Sequence, residues 1–230
     1  MKYVMGVDVG TRQDHSAIVL VRRSERLQPG KALPGTWEEL SERRMIYSTY
    51  EVPLMERLPL GIEYRQLIAR IRSILDMPQL FRQDIQIVMD ATGVGYPVVQ
   101  QMIGGGIPVV GVTITGGTSV AQNEVGYTVP KRDLVSALQV VAQNRRLQVA
   151  PALELAEQFE NELRVFRRTT SEAKNEKYGA EEGEHDDIVL AAAIAVWYFE
   201  RAFGIAVPAP IRGEEQAPSY NPLRLYRDQK

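Results

Sequence analysis

The sequence has no cysteine and only two histidines, His15 and His185, in 230 residues. Disulfides and thiolate metal sites are excluded, so any resident metal must be held by oxygen ligands or by those two imidazoles, a donor set that favours hard cations. No stretch approaches the ~18 consecutive apolar residues of a membrane span. The first residues, MKYVMGVDVG, also lack the charged region, long apolar segment and cleavage site of a signal peptide, and the expected setting is intracellular. A large charge imbalance is missing too: 27 Lys and Arg against 29 Asp and Glu leave −2. That balance does not advertise a nucleic-acid binder, although basic side chains can still gather around an acidic site. No phosphate-cradling G-x-x-x-x-G-K-[ST] loop occurs. There is no internal repeat and no single-residue tract.

What is present is the composition of an ordinary globular protein, 44% hydrophobic and 24% charged. Residues 2–9 and 15–22 are β-type runs joined by GTRQD, whose Gly10 and Asp14 suit a turn, so the chain opens with a hairpin. Alternation in RRMIYSTYEVPL predicts a third strand, residues 84–90 a fourth and residues 108–115 a fifth. Helical spacing of Tyr64, Leu67, Ile68, Ile71, Ile74 and Leu75 predicts a helix over 63–77. YPVVQQMI, PKRDLVSALQVVAQNRR, ALELAEQFENELRVFRR and HDDIVLAAAIAVWYFERA supply four more. Three meandering strands followed by α-β crossovers fit a five-stranded mixed sheet of order 3-2-1-4-5 with helices on both faces, because parallel strands require crossovers. That is the ribonuclease H-like arrangement. One such domain is expected over residues 1–205, with 206–230, which hold four prolines after Val207, as a flexible tail.

Asp8 is the anomaly in this pattern. It sits in an apolar strand, where a carboxylate is costly unless a cation, hydrogen bonds or a partner compensates it. In the predicted sheet it lies beside Asp90, the last residue of the fourth strand, at the carboxyl edge where open α/β sheets place their ligands. The final helix opens with His185, Asp186 and Asp187, and its alanines allow a close approach to the sheet. Convergent carboxylates would repel one another and raise one or more pKa values. Two divalent cations, Mg²⁺ or Mn²⁺, would turn them into ligands able to activate water for phosphodiester hydrolysis.

The stretches GVDVG(TRQ)DHSAIVLV, IVMDATGVGYPVV, VPKRDLV and FRRTTSEAKNEKYGAEEGEHDDIVLAAAIA resemble the C-terminal nuclease domain of the large terminase subunit of tailed bacteriophages, over about residues 2–200. The resemblance implies a two-metal endonuclease that cuts concatemeric viral DNA during packaging, in the cytoplasm of an infected bacterium. It implies Asp8, Asp90 and the Asp186/Asp187 pair as ligands and catalytic residues, with Asp14 as an accessory carboxylate. The pair lies about 100° apart on its helix, and the sequence does not distinguish which member binds metal. Double-stranded DNA, a packaging ATPase, the small terminase and the portal are the implied partners. The packaging family also carries an ATPase domain, so any motor would have to come from another polypeptide segment.

Each feature also has a plainer reading. Asp90 can be a turn former, and Asp186 and Asp187 can be charges favourable to a helix N-terminus. His185 reads as a cap or a support to the ligands, His15 as a surface turn residue, and Trp197, Tyr198 and Phe199 as packing. Arg12, Lys131 and Arg132 are the basic residues expected at the carboxyl edge, where phosphate contacts would be independent of base sequence; Lys174 and Lys177 are weaker candidates. With no base-reading module in the chain, cleavage is expected to have low sequence specificity. Three rivals remain: a nucleotide-binding phosphotransferase of the actin, Hsp70 and sugar-kinase type, to which GVDVGT and MDATGVG bear some likeness, a Holliday-junction resolvase, and a non-enzymatic scaffold on the same fold.

Overall fold

The computed structural model describes residues 2–27, 46–172 and 186–203. The chain begins with β1 (Tyr3–Asp8), β2 (Ala17–Leu27) and β3 (Ile46–Arg57), which pair antiparallel in sequence. Helix α1 (Tyr64–Leu75) then leads to β4 (Ile85–Asp90), and α2 (Gly95–Gly104) leads to β5 (Val109–Thr115). Both crossovers produce parallel pairs, β4 beside β1 and β5 beside β4. A short hairpin, β6 (Ala121–Asn123) and β7 (Gly126–Pro130), runs directly into α3 (Lys131–Gln143). The chain continues through β8 (Leu147–Val149), α4 (Ala156–Glu172) and α5 (Asp187–Phe203).

The sheet has eight strands in the order β6-β7-β5-β4-β1-β2-β3-β8. Its central five run 3-2-1-4-5, the ribonuclease H-like arrangement expected from the sequence. The expectation of only five strands is corrected by three short additions at the margins. Strand β8 pairs parallel with Tyr50–Val52, and the ladder stops where Pro53 offers no N–H. Strand β7 joins β5 where Gly126, at φ +153°, lies against Gly111; a Cβ on Gly126 would come 2.2 Å from the Gly111 carbonyl oxygen. Three-residue strands leave no alternation long enough to read.

Each face of the sheet carries its own core. Val4, Val19, Val88 and Val112 point toward α3, α4 and α5, whereas Met5, Val7, Ile18, Leu20, Ile87 and Met89 point toward α1 and α2. Burial on both sides explains why β1 and β4 are nearly continuous in apolar residues. Helix α5 is covered all round, with Ile188 to Trp197 buried, and it packs directly on β1. Gly6 permits that contact, since a Cβ there would stand 2.0 Å from the carbonyl oxygen of Ala191. No helix among the described residues is long and apolar enough to cross a membrane.

Candidate active site

Register places the site. On the α5 face, Asp8 pairs with Ala17 of β2, and Ala17 pairs with Arg57 of β3. On the other side Asp90 lies one residue beyond the Val7–Met89 pair and opposite Val112 of β5. One transverse row therefore reads Val112, Asp90, Asp8, Ala17, Arg57: two adjacent carboxyls, then a small residue, then a guanidinium. The close approach at Gly6 lays the start of α5 over this row. Asp186 precedes the helix and its carbonyl accepts from the Leu190 N–H at 2.8 Å; Asp187 is the first helical residue.

Asp8 is held well above the usual carboxylate range, first by burial and then by the charges of Asp90, Asp186 and Asp187; Lys131 opposes the shift. Asp90 is also raised by burial. The opposing influences on it are the Thr92 side chain and N–H, the latter donating to Oδ1 at 2.7 Å, a hydrogen bond with Asp8, and Lys131. Both carboxyls are shifted toward the protonated form, the direction expected of neighbouring buried acids.

The two aspartates of α5 have different partners. Lys131 Nζ donates to Asp186 Oδ2 at 2.9 Å, in a pair whose side chains stay partly exposed, at 22% and 28%. Lys131 reaches this position because β7 enters α3 without a loop, with Pro130 at the helix N-cap. Asp187 is gripped by Arg57: Nε donates to Oδ2 at 2.7 Å and Nη2 to Oδ1 at 3.0 Å. Nη2 also donates to Glu162 of α4. This trio is nearly closed to solvent, with side-chain exposures of 12% for Arg57, 9% for Glu162 and 7% for Asp187. The second Glu162 oxygen has no hydrogen-bond partner among the described residues. Burial, partly offset by Arg57, pushes the Glu162 carboxyl up to about 7.

The sequence-predicted residues thus divide. Asp8, Asp90, Asp186, Asp187 and Lys131 share one electrostatic neighbourhood. Arg12 and Asp14 lie in the exposed turn after β1, where the Asp14 carboxylate accepts from the Thr11 hydroxyl at 2.8 Å. Arg132 donates to the Thr118 carbonyl at 3.0 Å, bracing the loop before β6. His15 is half-buried rather than a plain surface residue, and its Nδ1 lies 2.8 Å from the Leu58 carbonyl oxygen, linking the first turn to the end of β3. His185, Lys174, Lys177 and the 206–230 tail lie outside the described residues. Arg57 and Glu162 were not anticipated: in LMERLPL and in an amphipathic helix they look like solvated charges, and only the sheet register reveals them.

By donor chemistry, carboxylates alone with no thiolate or imidazole, the set fits a hard divalent cation. As the side chains stand, no three acidic or imidazole groups among the described residues lie close enough together to hold a metal ion. Asp186 is turned to Lys131 and Asp187 to Arg57.

No family model and no curated protein matches the chain. Among solved structures it is similar to the large terminase nuclease from the thermophilic phage G20c with bound zinc, at 21% identity over 84% of this chain and 79% of that one, TM-score 0.47. A second structure of that nuclease aligns at 19% identity over 84% and 80%, TM-score 0.48. Thermus thermophilus RuvC in complex with a Holliday junction substrate aligns at 13% identity over 90% of this chain and 99% of that one, TM-score 0.38.

Proposed function

We propose that this protein is a divalent-metal-dependent endonuclease that hydrolyses DNA phosphodiesters with little base preference, and that it cuts concatemeric viral DNA during genome packaging in an infected bacterial cell. The observation that carries the reading is the adjacency of Asp8 and Asp90 on parallel strands, raised together and faced by Asp186 from the start of α5. Asp8, Asp90 and Asp186 are the residues that would hold the metal. Two Mg²⁺ or Mn²⁺ ions held there would supply the activation of a water and the stabilisation of the leaving oxygen. As a ligand, Asp186 would face the cation in place of its present partner Lys131. The Lys131 ammonium and the Arg12 and Arg132 guanidiniums at the carboxyl edge would contact phosphates, and such contacts orient a duplex without reading its bases. The packaging ATPase, the small terminase and the portal belong to this proposal as partners.

Incubation with supercoiled plasmid tests it. Nicking and linearisation are expected in Mg²⁺ or Mn²⁺, binding without turnover in Ca²⁺, and product ends without a consensus. Cleavage in EDTA would refute the metal chemistry, and a strong preference for four-way junctions over linear duplex would move the assignment to a resolvase.

A further inference from the structure

Two acidic residues in succession at the start of α5 differ sharply in surroundings. Asp186 is partly exposed and meets a flexible lysine, a point charge that can be exchanged. Asp187 is buried, and both of its oxygens are taken by the planar fork of Arg57, which also reaches Glu162. The fork joins three elements, β3, α4 and α5, at one guanidinium. It springs from the same transverse row as Asp8, separated from it only by Ala17, whose small side chain leaves room above the sheet for the acidic start of α5.

We propose that Arg57 is a positioning residue for the nuclease centre: by clamping Asp187, with Glu162 as its second anchor, it fixes the rotation of the first turn of α5 and thereby aims Asp186 at Asp8 and Asp90. The inference rests on the nuclease reading for its functional consequence, but the clamp itself is a statement about the metal-free protein. Asp187 contributes orientation, and Asp186 contributes the ligand. Rotation matters because successive residues on a helix differ by about 100°, so a small turn of α5 carries the Asp186 carboxyl out of register with the strands.

The test uses the full chain as wild type, Arg57→Met, Arg57→Lys, Asp187→Asn and the Arg57→Met/Asp187→Asn double variant. Three measurements are made: amide hydrogen exchange without metal, Mn²⁺ binding by calorimetry, and plasmid nicking with kcat and KM separated. In Arg57→Met, exchange should quicken in the first turn of α5, at Ile188 to Leu190, while the last turns hold. Mn²⁺ affinity should fall about 10- to 100-fold, as when the support of a metal ligand is lost, and kcat should drop with little change in KM for DNA. Arg57→Lys should restore thermal stability more than Mn²⁺ affinity, because an ammonium replaces the charge but not the two-pronged geometry. Asp187→Asn should behave as Arg57→Met does, and the double variant should be no worse than either single one.

A purely structural arginine would lower the melting temperature and leave Mn²⁺ affinity and kcat of the folded fraction unchanged, which would overturn the proposal. So would a further large loss of Mn²⁺ binding when Asp187→Asn is added to Arg57→Met, since Asp187 would then itself be a ligand. Failure of wild type to bind Mn²⁺ or cut DNA, with the exchange pattern as expected, would sink the nuclease reading and the functional half of the proposal while supporting the clamp.

Discussion

The two ends of α5 carry ionic clusters built on opposite plans. At the far end Arg146, fully buried, donates through Nε to the Ser48 carbonyl at 2.7 Å and through Nη2 and Nη1 to Glu200 at 2.6 and 3.4 Å. Tyr50 donates its hydroxyl to the same carboxylate, and its ring lies 5.4 Å from the guanidinium carbon. One cation meets one anion, and the Tyr50 hydroxyl, pushed up by burial and by Glu200, stays neutral. At the near end, among the described residues, Asp8, Asp90, Asp186, Asp187 and Glu162 face Lys131 and Arg57. Among the described residues, charge is balanced at the far end, and carboxyl groups outnumber their cationic partners at the near end.

Substitutions at the two ends should therefore separate activity from stability. The largest effect is expected from Asp8→Asn, which should lower cleavage by orders of magnitude while the protein stays folded. Removing one buried acid also relieves repulsion in the metal-free protein, so its melting temperature without metal should equal or exceed that of wild type. Added Mn²⁺ should raise the melting temperature of wild type by mass action, and that increment should shrink in the variant. A variant that nicks at the wild-type rate, or melts far lower without metal, would break the contrast. Melts of both proteins with and without Mn²⁺, beside a nicking assay, decide it.

Next in size is Arg146→Met. It removes the guanidinium from Glu200, leaving that carboxylate with the Tyr50 hydroxyl, and should cost about 3–5 kcal/mol, the usual consequence of deleting one partner of a buried pair. The Mn²⁺-induced rise in melting temperature should survive. Denaturant titration with and without Mn²⁺ checks both, and loss of that rise would show that the ends are not independent.

The smallest effect concerns Glu162. Its folded pKa of about 7 lies above its ordinary 4.5, so the folded protein binds the extra proton more tightly than the unfolded chain. The stability this provides is complete below about 4.5 and is lost as pH rises through about 7. Glu162→Gln keeps an oxygen for Arg57 and removes the titration. Relative to wild type it should gain about 1–3 kcal/mol between pH 4.5 and 8, read as the difference between the two unfolding profiles. A constant difference across that range would mean that Glu162 is ionised throughout.

Much of the fold could be read from the sequence, and the part that could not has physical reasons. The central strands were legible because β1 and β4 are buried on both faces and the helices keep long apolar periods. Asp8 and Asp90 stood out as carboxylates in apolar strands. Strands β6, β7 and β8 were not legible because they are three to five residues long and paired by context. Arg57 and Glu162 were hidden for another reason: their partners lie 130 and 105 residues away in sequence from Arg57, and a charge in an amphipathic segment looks alike whether it faces water or another element. The different roles of Asp186 and Asp187 depend on those partners, so the sequence left them equal.

The central claim is that the near end of α5 is a cation site with Asp186 as its helix-borne ligand. A crystal soaked in Mn²⁺ and measured at the manganese absorption edge tests it most directly. The account predicts anomalous peaks among the Asp8, Asp90 and Asp186 carboxylates, with Lys131 displaced from Asp186 and both Asp187 oxygens still on Arg57. An empty site, or a metal ligated by an Asp187 that has left Arg57, would contradict it.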